Sequence, residues 1–357
     1  MRIKNLSLNN FRNYQKSDFK FSDLINVITG PNGSGKTNIL ESIGLLSTGG
    51  SSRVGLTSEM IRIGSEFARV TAKLDSSDKF EVVLQKTENS TRVGKTFKVN
   101  GAKKPSTQFV GLLKTVMFSP SDIRLVAGSP SRRRDYLDRV LSQTDPRYYK
   151  STKEYARVIK QRNKVLESLH DFPVSEARHK QLEFWNIRML GLGGYIQNIR
   201  TKFFSESYDP LTEISTKLFN KERILKLDYH KSRLSEDILN SIKEKEIIRK
   251  SSQVGPHRDD FSFSLKGRNS EVNLSGYGSR GEQRTGVLSL KIYEMEYIEL
   301  VTQEKPILLL DDIFSELDEN YRKAVLAVID SKQVIVTTAD IHSVPEKLIK
   351  EANVIRL

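Results

Sequence analysis

The stretch Gly30-Pro31-Asn32-Gly33-Ser34-Gly35-Lys36-Thr37 decides the fold of this chain. Its spacing fits Gly-x-x-x-x-Gly-Lys-Ser/Thr, the phosphate-binding loop of many nucleotide-binding proteins. The apolar residues Leu24–Thr29 before it predict a buried strand, and a helical pattern starts at Thr37. Strand, glycine-rich loop and helix together predict an α/β unit in which the N-terminus of a helix faces a phosphate group.

A second segment, Ile307-Leu308-Leu309-Leu310-Asp311-Asp312, has four apolar residues followed by two acids. It predicts a buried strand that delivers carboxylates to a magnesium ion and to an attacking water. A strand that ends in solvent is the alternative interpretation. Because loop and acids need to meet in one site, we predict that the two ends of the chain form one domain that binds ATP and Mg²⁺.

The composition favours a polyanionic partner, because the 357 residues carry a net charge of +14. General basicity without such a partner is the alternative. The chain has no cysteine, which excludes disulfides, thiolate-bound zinc, iron–sulfur clusters and cysteine catalysis and fits a reducing cytoplasm. No apolar run approaches the roughly 18 residues that span a bilayer, and the first residues lack the apolar centre of a secretion signal.

The pattern of apolar residues changes along the chain from strand-rich to helical and back to α/β. Helices are predicted from about Ser131 to Lys250, with an interruption at Gly191-Leu192-Gly193-Gly194. Strands return near Asp260–Leu265, followed by a long helix over Arg280–Thr302. We therefore predict an α/β fold in which residues 1–120 and 255–357 form the ATPase domain and residues 121–254 form an inserted, mainly helical domain.

The loop residues predict how the phosphates are held. Gly30, Gly33 and Gly35 let the backbone approach phosphate oxygens because they carry no side chain. Lys36 brings a cation to the β- and γ-phosphates. An ordinary tight turn would need the glycines but not the complete spacing. Nucleotide contacts are predicted for the following residues: Gly30, Pro31, Asn32, Gly33, Ser34, Gly35, Lys36, Thr37 and Asn38.

The metal and catalytic roles follow from the same two segments. Thr37 supplies a hydroxyl to Mg²⁺, and Asp311 holds the same ion, usually through water. Asp312 orients or polarises the attacking water. We predict Lys36, Asp311 and Asp312 as the catalytic residues, and Thr37 and Asp311 as the metal ligands.

A third segment, Ser279-Arg280-Gly281-Glu282-Gln283, has the spacing of a capping box, with Ser279 at the N-cap of a helix and Glu282 three residues later. A capped helix N-terminus is also an anion site. The segment lies about 30 residues before Asp311, where ATP-binding-cassette (ABC) proteins carry their signature sequence, although Arg280 replaces its first glycine. We predict nucleotide contacts from Ser279, Gly281 and Glu282. Ser315-Glu316-Leu317-Asp318 resembles the D-loop of the same class.

Four further blocks are not needed by phosphate-binding loops in general: Leu8–Tyr14, Phe118–Asp122, Ser129–Asp138 and Gly255-Pro256-His257-Arg258-Asp259-Asp260. Together with the ATPase motifs they make the whole chain resemble the RecF family, bacterial recombinational-repair ATPases related to the heads of SMC proteins. The resemblance implies an ABC-type P-loop ATPase head with an inserted, mainly helical lobe in place of a long coiled coil.

The resemblance also implies how the protein works. ATP would be sandwiched in a homodimer, with the loop of one protomer facing Ser279 and Gly281 of the other, and Arg12 and Asn13 would approach the nucleotide. Family members bind single-stranded, gapped or junction DNA in an ATP-dependent way, act with RecR and RecO, and help load RecA. A weak DNA-dependent ATPase in the cytoplasm, at the nucleoid, is therefore expected.

Some features depart from the general class or stay open. Asp312 stands where most ABC proteins have Glu, and RecF proteins share this Asp; the shorter side chain predicts slow hydrolysis. No Q-loop glutamine is evident where Phe118–Asp122 lies, and the switch residue after Gln333–Thr338 is not identified, although His342 is near. His257 is given no chemical role. The candidate DNA contacts are Lys103, Lys104, Arg132, Arg133, Arg134 and the stretch Tyr148–Lys164.

Two other functions are weighed against this one. A transporter ATPase subunit would need a membrane partner, and its loop and acidic strand are usually closer in sequence. A structural clamp head of the SMC type, in which ATP only sets the conformation, needs hundreds of heptad-bearing residues that this chain does not have. A form of the second survives, in which the protein is an ATP-gated platform and hydrolysis is secondary.

Overall fold

A computed structural model of the chain describes residues 1–51, 53, 56–87, 93–219, 223–267, 270–315, 322, 325–326, 329 and 331–357. Its strands are β1 Ile3–Phe11, β2 Tyr14–Lys20, β3 Ile25–Thr29, β4 Phe67–Leu74, β5 Lys79–Lys86, β6 Val93–Val99, β7 Ala102–Lys104, β8 Thr115–Phe118, β9 Ile224–His230, β10 Asp260–Lys266, β11 Glu271–Asn273, β12 Ile307–Asp311, β13 Val334–Thr338 and β14 Asn353–Arg356.

The helices within the same described residues are α1 Lys36–Thr48, α2 Ser106–Phe109, α3 Arg124–Ala127, α4 Pro130–Thr144, α5 Pro146–Asp171, α6 Glu176–Ser205, α7 Tyr208–Leu218, α8 Glu236–Ser241, α9 Lys243–Ile248, α10 Leu274–Tyr277, α11 Arg280–Thr302 and α12 Glu346–Glu351. The predicted mixture of strands and helices is confirmed. No helix among the described residues is long and apolar enough to cross a membrane.

The chain forms two compact units. The first contains Met1–Ile123, Lys217–Asn220 and Val287–Leu357, and the second contains Arg124–Thr216 and Lys221–Gly286. Residues 255–286, which we expected in the ATPase domain, lie in the second unit, because β10 pairs along its whole length with β9. The functional division into an ATPase domain and an inserted domain stays a prediction.

A parallel sheet carries the nucleotide motifs of the first unit. Its order, within the described residues, is β14-β3-β13-β12-β8. The central strands β3, β12 and β13 are rich in Val, Ile and Leu and are buried along nearly their whole length, as expected for a parallel sheet covered on both faces. Because all pairs are parallel, the carboxyl ends of these strands share one edge, where ligands of open α/β sheets bind.

An antiparallel sheet of order β2-β1-β4-β5-β6-β7 forms the rest of the described strands in this unit. One face is apolar and packs with α1 in a common core that includes Leu6, Leu8, Ile39 and Ile43. The buried amide of Gln333, directly before β13, joins the two sheets: it accepts from Ile3 N (2.7 Å) and donates to the carbonyls of Ile3 and Ser22 (2.8 Å each).

The second unit consists of the long helices α4–α6, shorter helices and the sheet β11-β10-β9. The interruption predicted at Gly191–Gly194 is wrong, since α6 runs unbroken through it. A Cβ on Gly193 would lie 2.5 Å from Leu234 Cδ2 and 3.2 Å from Tyr155 Cε2. At least this glycine therefore permits close packing of the helix and does not end it.

Candidate nucleotide site

The glycine-rich loop connects β3 to α1 at the carboxyl edge of the parallel sheet. Gly33 has φ +83° and Gly35 has φ +109°, a conformation that residues with a Cβ rarely adopt. Gly35 is the N-cap of α1, and the first turn of any helix leaves backbone N–H groups without intrahelical partners. The loop therefore presents N–H donors and a helix N-terminus at one point, as an anion site requires.

Replacing Gly35 with Ala is expected to lower the free energy of unfolding by at least about 1 kcal/mol and to prevent ATP binding. A Cβ there would lie 2.6 Å from Asn13 Nδ2 and 2.7 Å from the Tyr14 hydroxyl. Gly44→Ala is the matched control, because it lies within α1 and its Cβ would have no atom within 4 Å. The Gly44→Ala variant should gain about 0.5–1 kcal/mol in the free energy of unfolding. Equal thermal melting shifts for both variants would contradict this.

Lys36 begins α1 and is only 8% exposed. Its Nζ donates to the carbonyls of Gly30 (2.6 Å) and Pro31 (2.8 Å), across the loop. The ammonium group is therefore held against the loop backbone and adds a positive charge beside the N–H donors of the loop.

The predicted metal ligands lie in direct contact. Thr37 Oγ1 donates to Asp311 Oδ1 at 2.7 Å, and Thr337 Oγ1 donates to the same oxygen at 2.8 Å. Burial raises the pKa of Asp311 above its usual value, and the two hydroxyl hydrogen bonds oppose this rise. A buried carboxylate whose charge is unfavourable gains from a cation, so Thr37 and Asp311 fit a Mg²⁺ ion.

Asp312 leaves the strand in a strained conformation, with φ +49°. Its backbone N donates to the Thr337 carbonyl (3.0 Å) and lies 3.2 Å from Thr337 Oγ1, so the last part of β13 holds it. Among the described residues, Asp312 Oδ1 and Ser34 Oγ are buried side-chain oxygens without a hydrogen-bond partner. Buried polar atoms are normally satisfied, so both fit a site that is completed by a polar ligand.

Arg12 and Asn13, between β1 and β2, reach the loop and α1. Asn13 Nδ2 donates to the Ser34 carbonyl (3.0 Å) and its Oδ1 accepts from Asn38 (2.9 Å). Arg12 has φ +54° and donates two hydrogen bonds to Glu41 of α1 (2.8 and 2.7 Å). The structure thus brings Arg12 and Asn13 beside the predicted loop residues.

The sequence reasoning missed three residues at this site: Glu41, Thr337 and Tyr14. Glu41 is 3% exposed and would have been detectable as an acid within an apolar helical pattern. Thr337 lies in the segment Gln333–Thr338, for which no role toward Asp311 was predicted. The Tyr14 hydroxyl is buried, has no hydrogen-bond partner among the described residues, and burial raises the pKa of Tyr14 to about 12.

The signature-like segment forms the predicted capping box in the second unit. Ser279 N donates to Glu282 Oε2 (2.8 Å), and Glu282 N donates to Ser279 Oγ (3.2 Å). The hydrogen bonds from Ser279, together with the nearby Arg223, hold the pKa of Glu282 below its usual value. Ser279, Arg280 and Gly281 are exposed at the start of α11. In the D-loop-like segment, Glu316, Leu317 and Asp318 lie outside the described residues.

The two histidines that were given no chemical role differ in their surroundings. His257 lies between the Tyr155 hydroxyl (3.0 Å) and the Ser252 carbonyl (3.2 Å), and burial lowers the pKa of His257 to about 4. His342 is exposed.

At the position where a Q-loop glutamine would be expected, Asp122 Oδ2 accepts a hydrogen bond from Ser119 N at 2.8 Å. Among the described residues there is no cluster of three or more His, Asp or Glu that could hold a metal.

Several candidate DNA contacts of the second unit are engaged inside it, whereas the other cations of Tyr148–Lys164 are exposed: Lys150, Lys153, Arg157, Lys160 and Lys164. Arg133 makes two hydrogen bonds to Asp260 (2.6 and 2.8 Å), and Arg134 donates to the Asp259 carbonyl (3.0 Å). Within Tyr148–Lys164, three tyrosines and Arg162 are buried. These side chains stabilise the unit and are poorly placed to reach a DNA backbone.

Comparison with known proteins gives one consistent family. The model of the RecF/RecN/SMC N terminal domain matches residues 2–354. The chain is 35% identical over 371 residues to the DNA replication and repair protein RecF of Heliobacterium modesticaldum, covering 100% of this chain and 97% of that protein. RecF of Bacillus cereus is 34% identical over 372 residues with the same coverage.

Solved structures agree with the sequence relatives. The recombination mediator protein RecF-ATPrS in the RecFOR pathway matches with a TM-score of 0.84 and 31% identity, covering 96% of this chain and 94% of that one. RecF-ATP of the same pathway matches with a TM-score of 0.82, 31% identity and coverage of 95% and 93%. A Smc head domain from Pyrococcus furiosus, at 19% identity and a TM-score of 0.51 over 95% of this chain and 90% of that one, shares the fold. The predicted ABC-type ATPase head is confirmed.

Proposed function

The chain belongs to the RecF family of DNA replication and repair proteins, and from this membership we propose that it is an ATP-dependent DNA-binding protein of recombinational repair. The observation that carries the proposal is the contact of Thr37 with Asp311 at 2.7 Å beside the glycine-rich loop. It joins residues from opposite ends of the chain in an arrangement suited to Mg²⁺ and a nucleoside triphosphate. The relatives solved with ATP and ATPrS support ATP as the ligand.

Each residue then has a role toward ATP and Mg²⁺. The loop residues Gly30 to Thr37 and Asn38 bind the phosphates, with Lys36 supplying a cation. Thr37 and Asp311 hold the metal, which neutralises phosphate charge. Asp312 orients the attacking water, while Arg12 and Asn13 contact the nucleotide from the β1–β2 turn. The Asp in place of Glu keeps hydrolysis weak.

ATP-driven dimerisation gates DNA binding in this proposal. Ser279, Gly281 and Glu282 lie at a capped helix N-terminus, a position that favours an anion. In a homodimer they bind the terminal phosphate held by the other protomer, so dimer formation requires the triphosphate. Hydrolysis removes this shared group and resets the dimer.

The protein binds DNA at single-strand gaps and at junctions of single- and double-stranded DNA. Bound DNA raises its ATPase rate. RecR, with RecO, acts with the protein to load RecA. The RecFOR pathway named for the related structures supports the RecR and RecO part of this proposal. Because its partner in this proposal is DNA, the protein acts in the cytoplasm at the nucleoid. The net charge of +14 supports contacts with a polyanion.

The test is DNA binding and light scattering with ATP, with ADP and without nucleotide, each at two salt concentrations. We expect a dimer and gapped-DNA binding with ATP only, with an affinity that falls steeply as salt rises. Monomers under all three conditions would refute the ATP-driven dimer. A strong preference for one DNA sequence would contradict recognition of backbone and junction shape.

A further inference from the structure

The solvent face of the antiparallel sheet is strongly basic. Residues directly opposite each other in an antiparallel pair lie on the same face, so the register identifies its members. Among the described residues, this basic sheet face carries two acids, Asp18 and Glu81, and seven cations: Lys16, Lys20, Arg69, Lys73, Lys79, Lys98 and Lys103. The other face of the sheet is the buried apolar one.

The cations are placed where they repel one another. Lys73 lies directly opposite Lys79, and Lys98 lies directly opposite Lys103; like charges at such positions destabilise a sheet. Glu81 offsets part of this, with Lys98 Nζ at 2.6 Å and Arg69 Nε at 4.0 Å. Solubility alone is served by interspersed charges of both signs, so the arrangement indicates a polyanionic partner.

Several of these lysines are available to a partner. Within the described part of the chain, the ammonium groups of Lys16, Lys20, Lys73 and Lys103 make no hydrogen bond or ion pair. Lys16 and Lys73 line an open cavity of about 270 Å³ on this face, together with Arg69, Asn9 and Thr71. The cavity also contains Lys79 and the two carboxylates Asp18 and Glu81, so its four cations outnumber its acids. Its cationic, amide and hydroxyl side chains are of the kinds that contact phosphates.

The dimensions favour duplex DNA. Neighbouring strands lie about 4.8 Å apart, so six strands cover roughly 24 Å, a length of duplex that carries about 14 phosphate charges. The described residues that line the cavity include no aromatic side chain, whereas surfaces for single strands use aromatic rings to stack bases. A basic cavity whose described lining has no stacking groups suits a sugar–phosphate backbone.

We propose that the basic sheet face binds the backbone of duplex DNA. At a junction of single- and double-stranded DNA, this face contacts the duplex arm, and recognition of the junction depends on ATP. The proposal rests on the DNA binding proposed above and assigns it a surface. An acidic segment of a protein is the other partner with matching charge, and the test below separates the two.

The test compares the double variant Lys16→Gln/Lys73→Gln with a matched double variant, Lys347→Gln/Lys350→Gln, in the exposed part of α12. Binding of a duplex oligonucleotide is measured with ATP by fluorescence anisotropy over a series of salt concentrations. The slope of log K against log salt is negative, and each lost phosphate contact makes it shallower by about 0.9. We expect the face variant to lose about 1.8 from that slope and roughly tenfold in affinity at low salt, and the α12 variant to keep the wild-type slope.

Folding and function are read out separately. The melting temperature of the face variant should equal or exceed that of wild type, because the Lys73–Lys79 repulsion is removed, and its ATP hydrolysis without DNA should be unchanged. Wild-type slope and affinity in the face variant, or equal losses in the α12 variant, would overturn the basic sheet face and leave the proposed function standing. Unchanged duplex binding with lost binding of a poly-glutamate peptide would assign the face to an acidic protein instead. Wild type that binds no DNA with ATP would overturn both proposals.

Discussion

Replacing Asp312 with Asn is expected to slow ATP hydrolysis by about 10²–10⁴-fold while ATP binding is retained. The carboxylate is predicted to orient or polarise the attacking water, and an amide of the same shape is a much poorer base. The backbone should not change, because Asn tolerates the positive φ that Asp312 adopts. Its N–H contact with the Thr337 carbonyl at 3.0 Å does not involve the side chain.

Single-turnover phosphate release and binding of a fluorescent ATP analogue measure the two effects. Asp23→Asn is the matched control, since it removes a carboxylate that forms an exposed ion pair with Lys4 and should leave both quantities unchanged. With ATP, the Asp312 variant should stay dimeric and bound to DNA. If this trapped form still supports repair in cells, hydrolysis is secondary and the protein acts as an ATP-gated platform. Hydrolysis within threefold of wild type would contradict the role of Asp312.

Replacing Lys36 with Met is expected to weaken ATP binding by roughly 100-fold or more, because two hydrogen bonds between a cation and phosphate contribute about 1.5–3 kcal/mol each. Methionine keeps most of the aliphatic stem that is buried in the loop. The ammonium group that now donates to the carbonyls of Gly30 and Pro31 is lost, so ATP-driven dimerisation and DNA binding should be lost with it.

Equilibrium binding of a fluorescent ATP analogue is the measurement, and thermal melting checks the fold. The matched control is Lys347→Met in α12, where the lysine is exposed. An affinity for ATP that stays within fivefold of wild type would contradict the assignment of Lys36.

Residues that act through local sequence spacing were predictable. The phosphate-binding loop requires glycine at positions whose φ is positive, and Gly33 and Gly35 have that conformation. Four apolar residues before Asp311 predicted a buried strand, and β12 is buried throughout. The capping box of Ser279 and Glu282 depends on three-residue spacing and formed as predicted.

Residues whose role depends on tertiary contacts were not predictable in this way. Glu41 was detectable as an acid in an apolar helical pattern, but its role as the partner of Arg12 becomes evident only once the β1–β2 turn brings Arg12 onto α1. Thr337 holds Asp311 because β13 and β12 pair in parallel with these residues in register. Gly193 was interpreted as a break from its low helix propensity, but its environment in the fold requires a residue without a side chain.

The hydrogen bonds by which Gln333 connects the two sheets have a consequence for DNA-binding measurements at different salt concentrations. The amide of Gln333 is uncharged and buried, so ionic strength, which screens exposed charges, leaves its hydrogen bonds to Ile3 and Ser22 intact. High salt should therefore release DNA from the protein without separating its two sheets. Dilution of the salt should restore DNA binding at once, with no refolding step.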